Sequence, residues 1–323
     1  MSKIIIGIHG LGNKPPAPLL ESWWRKSIHE GLGRIGKPHS FAKFELVYWA
    51  RHIYDKPLDY NITDPDDPLF IPDPYMPAAG NPRQKSPGIR RRLFDYLEKQ
   101  FDKIFLSDDH MIDVSGITDM IISHFFKDLH VYFTTVYAKG KIKPGRARQA
   151  IQRSLHQVLR KHQGKQILLL AHSMGSIIAF DVLSKSESDL SVNTLITLGS
   201  PLGIPAIKQK LLAESKDIEK LHTPDSVRCK WFNFSDPEDR VAFDPDLSDD
   251  FLPNNNGVSS VSQEIENDYI LNGERNPHKA YGYLRAAPVA QAIAEFLEQG
   301  ISGPGLWLRY RLNLFYAQFR RHA

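Results

Sequence analysis

One serine in this chain has the neighbours that a nucleophile needs. Ser173 lies in the turn Ala171-His172-Ser173-Met174-Gly175, after an apolar run from Ile167 to Leu170 and before a stretch from Met174 to Leu183 with small and apolar residues along one side. The run reads as a central parallel strand and the stretch as a helix. The turn carries the pattern G-x-S-x-G with Ala171 at the first glycine position. Small residues are required there because the strained turn brings strand and helix backbones together, and alanine meets that requirement. Such a turn lifts the hydroxyl above a sheet and aims the positive end of the helix, with its unbonded N–H groups, at whatever the serine attacks. A serine in a turn is often only a turn residue; the strand before it and the helix after it give this one a chemical reading.

A serine hydroxyl attacks only when a base takes its proton, and an imidazole base needs a carboxylate to hold its tautomer and stabilise its charge. Asp236 and Asp239 stand in the segment SDPEDRVAF that follows an apolar strand from Val227 to Phe234, the place where the fold that this chain resembles, named below, would put the carboxylate. The imidazole candidate is His278 in ERNPHKAYGYL, the only histidine between His222 and His322. His172, beside the serine, points to the opposite side of the turn and reads as a structural neighbour.

The strand-serine-helix turn is similar to the nucleophile elbow of the α/β-hydrolases, and the chain resembles that superfamily. It stands nearer to the lipase and serine esterase families, including the GPI inositol-deacylase-like group, than to peptidases of the same fold. The resemblance covers 3–49 and 146 to about 297. It implies an α/β fold: a reduced, mostly parallel sheet flanked by helices, with a long cap or lid-like insertion. The order Ser173, Asp239, His278 matches the superfamily's order of serine, acid and histidine. Asp239 stands in D-R-V-A, similar to the D-x-V around the acid in many lipases and esterases, and is preferred; Asp236 remains the alternative. The segment HGLGN after the first strand resembles the H-G-x-G loop that bears half of an oxyanion hole, which implies the amides of Leu11 and Met174 as donors, with Gly10 and Gly12 clearing their approach to substrate. The GSPLG segment, 199–203, resembles a loop that borders the cleft in lipases, which implies Ser200 and Pro201 as lining residues. A plain strand-ending turn would demand the same residue types at both places.

The elements expected to position these groups are strands over 3–8, 41–49, 167–170, 192–198 and 227–234, and a last strand within 259–271. Helices are expected over 19–35, 146–162, 174–183 and 288–297. Residues 50–145 interrupt the alternation. Their first part holds Pro57, Pro65, Pro68, Pro72, Pro74, Pro77, Pro82 and Pro87, which forbids long helices and central strands. From Gly88 to Tyr137 the periodicity returns to helical, and its apolar residues suit either an acyl pocket or ordinary packing faces. His110, His124 and His130 lie there near Asp108, Asp109 and Asp113 without the tight pairs of a metal site. Asp244, Asp246, Asp249 and Asp250 lack the spacing of an EF-hand and read as a solvated acidic loop. No metal and no cofactor is expected.

At 323 residues, with 41% apolar and 24% charged residues, the chain suits one large soluble domain, 1–323, with the insertion at 50–145 and a tail at 304–323. A net charge of +4 is too small to suggest nucleic acid. The single cysteine, Cys229, excludes an internal disulfide and favours a reducing, cytoplasmic location. The first residues are too short and interrupted for a signal peptide, and no run is long enough to span a membrane. The tail mixes Arg309, Arg311, Arg320 and Arg321 with Trp307, Tyr310 and Phe315, a composition that suits peripheral membrane contact, packing on the domain or a dimer contact. The expected activity is hydrolysis of a small-molecule ester or a lipid. Its rivals are acyl transfer by the same three residues and a non-catalytic, hydrolase-like binding module.

Overall fold

The computed structural model describes residues 2–38, 42–78, 128–133, 146–185, 190–215, 220–242 and 244–299. The order along the chain begins β1 (Lys3–Ile8), α1 (Ala17–Arg34) and β2 (Lys43–Val47), and after the insertion resumes with α2 (Arg146–Lys161), β3 (Gln166–His172), α3 (Met174–Ser184) and β4 (Val192–Leu198). There follow α4 (Pro205–Ala213), β5 (Leu221–His222), β6 (Val227–Ser235), β7 (Phe251–Leu252), β8 (Ser260–Glu264), β9 (Ile270–Leu271), β10 (Glu274–Arg275), α5 (Ala280–Arg285) and α6 (Ala287–Glu298).

Six strands form one sheet in the order β2-β1-β3-β4-β6-β8. Every pairing in it is parallel. Such a sheet must be covered on both faces, and strand side chains alternate between them. Ile4, Ile6 and Ile8 of β1 and Ile167, Leu169 and Ala171 of β3 join one core, with Leu155 of α2 and Ile177 of α3. Ile5, Leu168 and Leu170 join the other, with Trp24 and Ile28 of α1, Leu284 of α5 and Ile293 of α6. Each such side chain, fully buried, contributes about 1.5–3 kcal/mol relative to exposure. The chain leaves β1 for β2 on one side and later enters β3 on the other, so the strand order reverses at β1/β3. In open α/β sheets ligands bind outside the carboxyl ends of the strands at such a point, and the two loops that leave these ends are His9 to Lys14 and the Ser173 turn.

The structure departs from the expected elements near the C-terminal end. The strand expected within 259–271 is present as β8, but it stops at Glu264, and a further short strand in that span, β9, pairs antiparallel with β10. Asn267 makes the break, since its backbone N–H donates to Asp236 and its side-chain amide donates to the carbonyls of Pro277 and Lys279 at 2.9 and 2.8 Å. The loop expected around His278 runs directly into α5. Its sequence, AYGYLR, has weak helix propensity, and burial of all six residues stabilises it. Most of the insertion, including His110 and His124, and the whole tail lie outside the described residues. Among the described residues no helix is long and apolar enough to cross a membrane.

Candidate active site

Ser173 has φ 53° and ψ −129°, a conformation that costs a non-glycine residue of order 1–3 kcal/mol and persists only where its surroundings enforce it. They do so from both sides. The Ser173 N–H donates to the carbonyl of Leu198 at 2.9 Å, and its own carbonyl accepts from the Ser176 N–H and Oγ at 2.8 and 2.6 Å. A side chain at Gly175 would lie 2.6 and 2.8 Å from the carbonyl oxygens of Ile8 and His9, so the helix lies directly against the end of β1. Ala171, in contrast, is a buried β3 residue facing the core; the first motif position tolerates a methyl group that the last does not.

At the tip of β3 the three expected side chains meet. His278 Nε2 lies 2.9 Å from Ser173 Oγ, and His278 Nδ1 lies 2.9 and 2.8 Å from the two carboxylate oxygens of Asp239. The carboxylate can only accept, so Nδ1 carries the proton and Nε2 accepts from the serine hydroxyl. Asp239 is fixed in turn by the Tyr283 hydroxyl at 2.7 Å and by the Val241 N–H at 2.9 Å. Asp236 does not contact His278. It is ion-paired with Arg275 and accepts from the amides of Glu238 and Asn267; burial nonetheless raises its pKa above the ordinary carboxyl value.

His172 supports the base from behind. Its Nε2–H donates to the carbonyl of His278 at 2.8 Å, and the two rings lie 4.9 Å apart. Burial, and then the neighbouring His278, hold its pKa well below the usual histidine value, so it stays neutral. Gly199, at φ 53°, closes the far side: a side chain there would meet Asp239 Oδ2 at 2.7 Å and the Tyr283 ring at 3.0 Å. Ser200 is buried, with its hydroxyl 2.8 Å from Ser176 Oγ. Pro201 is buried beside it.

The loop after β1 lies against the serine. A side chain at Gly10 would fall 2.7 Å from both Ser173 Cβ and His172 Nδ1. This loop and the Ser173 turn offer four backbone amides, and their engagement differs. The Ser173 amide is taken by Leu198 and the Gly12 amide by Asp128, the latter at 2.5 Å. The amides of Leu11 and Met174 have no hydrogen-bond partner among the described residues. Met174 opens α3, so its N–H carries the positive end of the helix.

Several residues of this site carry no sequence signal of their own. Tyr283, Asn267, Lys14 and Asp128 are examples. His9 had a signal, its place before Gly10. Its Nε2 accepts from the amides of Trp49 and Ala50 at 3.1 and 3.3 Å, so its Nδ1 carries the proton and donates to the Gly10 carbonyl at 2.8 Å. Burial, followed by the charge of Lys14, pushes its pKa well down. Three acidic residues, Asp244, Asp249 and Asp250, bring carboxylate oxygens within 4.8 Å of one another; Lys208 is ion-paired with Asp250 at 2.5 Å, which already offsets part of their charge.

The parallel sheet, the strained serine at the end of β3 and the helix that follows define the α/β class to which hydrolases of this fold belong. Residues 144–232 match the family model described as PGAP1-like alpha/beta domain. The match bears out the resemblance to the GPI inositol-deacylase-like group of α/β hydrolases and supports a hydrolase type of function. It spans α2 to most of β6 and contains Ser173 and Met174, whereas the 9–14 loop, Asp239 and His278 fall outside it. No curated protein matches the chain.

Proposed function

We propose that the protein is a serine hydrolase of carboxylic esters acting through an acyl-enzyme. The observation that carries this reading is the continuous hydrogen-bonded chain from Ser173 through His278 to Asp239. His278 takes the proton from Ser173 Oγ as it attacks the ester carbonyl, and Asp239 stabilises the imidazolium. The carbonyl oxygen gains charge as the tetrahedral intermediate forms, and the amides of Leu11 and Met174 receive it. His278 then protonates the departing alkoxide. Water, deprotonated by the same imidazole, attacks the acyl-enzyme and releases the acid and free Ser173. A lipid-like ester suits the basic, aromatic composition of the tail.

The test is covalent labelling with a fluorophosphonate, followed by release of acid from p-nitrophenyl esters of increasing chain length. Labelling of the intact protein that disappears in Ser173→Ala and His278→Ala supports the reading. A folded intact protein that takes no label, with lipid vesicles present, sinks it. Alcohols added as competing acceptors would divert product to new esters if the enzyme were an acyltransferase.

A further inference from the structure

Leu11 sits between two peptide planes, and each is gripped. A trans peptide holds its C=O and N–H on opposite sides, so whatever binds one end aims the other. In the plane before Leu11, His9 holds the Gly10 carbonyl, and the opposite end is the Leu11 N–H itself. In the plane after Leu11, the carbonyl accepts from Lys14 Nζ while the N–H, that of Gly12, donates to Asp128. The Lys14 ammonium also reaches the carbonyls of Gly12 and Asn13, at 3.2 and 3.4 Å. The chain folds back over it, because the Lys14 carbonyl accepts from the Leu58 N–H at 2.9 Å and from the Tyr48 hydroxyl at 3.1 Å. Asp128 comes from the insertion and is fully buried; its second oxygen accepts from the Tyr54 hydroxyl at 2.6 Å.

We propose that Lys14 and Asp128 are positioning residues for the Leu11 amide, holding the peptide that follows it from both ends, so that the ammonium and a carboxylate lent by the insertion set how well the site stabilises an oxyanion. This rests on the serine-hydrolase reading above. Neither side chain touches substrate. Their effect is preorganisation: an amide already aimed at the developing charge needs no reorganisation when the charge appears.

The grip depends on charge. A protonated Lys14 donates three hydrogens to three carbonyls, whereas the neutral amine has only two hydrogens and no charge to attract the third. Burial, with Lys279 adding to it, lowers the Lys14 pKa to about 7, against the opposing pull of Asp128 and Asp73. The charged and titratable groups around it are therefore Asp128 from the insertion, Asp73 from the proline-rich segment, Lys279 ahead of α5, and the His9 and His172 imidazoles. Lys279 and Asp73 are themselves paired at 3.1 Å. The loop is thus held below neutral pH and loosens above it.

The experiment measures kcat and KM for a p-nitrophenyl ester, and the fluorophosphonate labelling rate, across neutral pH for the full chain and for Lys14→Gln, Lys14→Arg and Asp128→Asn, with folding checked for each. Lys14→Gln should lower kcat and labelling roughly tenfold to a hundredfold with KM little changed. Lys14→Arg, whose guanidinium does not deprotonate, should abolish the loss of activity on the alkaline side. Asp128→Asn removes the carboxylate that keeps Lys14 charged and should move that loss to lower pH. If Lys14→Gln does not fold, the arginine and asparagine variants still decide. A labelled wild type whose alkaline limb is unchanged in both of those variants overturns the proposal and leaves the hydrolase reading standing. A folded wild type that takes no label removes both.

Discussion

The Tyr283 hydroxyl donates to Asp239 Oδ2 at 2.7 Å and accepts the Asp236 N–H at 2.8 Å. One buried phenol thereby ties the carboxylate behind the imidazole to the backbone of the turn that carries it. Burial, and then the Asp239 charge, raise its pKa well above the ordinary tyrosine value, so it remains a donor. In Tyr283→Phe the carboxylate loses a donor and the Asp236 amide loses its acceptor. The expected cost is about 1–3 kcal/mol of stability, and a fall of about tenfold or more in kcat from the lost hydrogen bond to a charged group. Denaturant titration beside ester kinetics measures both; an unchanged kcat would show that Asp239 is held well enough without it.

Asp239→Asn and Asp236→Asn should separate chemistry from stability. Replacing the carboxylate behind His278 removes the acceptor that fixes its tautomer, and the comparable change in a serine protease lowers kcat on the order of 10⁴-fold. Asp236→Asn removes one of the two carboxylates that hold the partly buried Arg275, Glu238 being the other, and should cost about 1–3 kcal/mol of stability while the folded fraction keeps its activity. Thermal melts and active-site titration on the same samples discriminate the two. The reverse pattern would reassign the acid.

The elbow was legible because all its requirements are local: a strand, a small residue, serine, a small residue and a helix follow one another in the chain. His278 was legible from order, since few histidines lie beyond the acidic turn. Asp236 and Asp239 were harder to separate, being three residues apart in one turn and both buried. What distinguishes them comes from Arg275 and Tyr283, about 40 residues further along. The grip on the 9–14 loop was illegible for the same reason carried further. Asp128 lies 116 residues from Gly12 in a segment whose apolar pattern suggested an acyl pocket or packing faces and gave its carboxylate no role, and nothing near Lys14 marks it as turned inward. The α5 helix escaped because tertiary burial, with little help from propensity, holds its six residues.

The two small positions of the elbow motif should both lose stability on substitution but differ in their effect on labelling. Gly175→Ala places a methyl group against the carbonyl oxygens of Ile8 and His9 at 2.6 and 2.8 Å, and these oxygens belong to backbone that cannot rotate away. The strain is expected to cost about 1–3 kcal/mol and to displace the Met174 amide, so labelling of Ser173 should fall with it. Ala171→Gly restores the full motif yet removes a packed methyl group and adds backbone freedom. It should lose about 0.5–1 kcal/mol and keep its labelling rate. Stopped-flow labelling and urea melts of the pair check both outcomes.

Far from the serine, Asp181 of α3 accepts from Arg148 Nε and Nη2 at 2.9 and 2.7 Å and from the Tyr132 hydroxyl at 2.7 Å, and Lys185 pairs with its other oxygen at 2.7 Å. Burial alone would raise this carboxyl's pKa. The Arg148 charge and the hydrogen bonds outweigh burial and leave it below the ordinary value. A pKa lower in the folded state than in the unfolded chain stabilises the fold at every pH above the unfolded value, about 3.9. That contribution drains away as pH falls through the folded value. Tyr132 belongs to the insertion, so the same carboxylate fastens residues 128–133 to the elbow helix and, through Asp128, to the 9–14 loop. Asp181→Asn removes the charge that Arg148 and Lys185 share, although Arg148 keeps Glu214 at 2.6 Å, and should cost about 1–3 kcal/mol at neutral pH. Denaturant melts at descending pH should show the wild type losing its advantage below about pH 4 while the variant's stability changes less. Parallel curves for the two proteins would mean that the Arg148–Asp181 pair contributes nothing to acid stability.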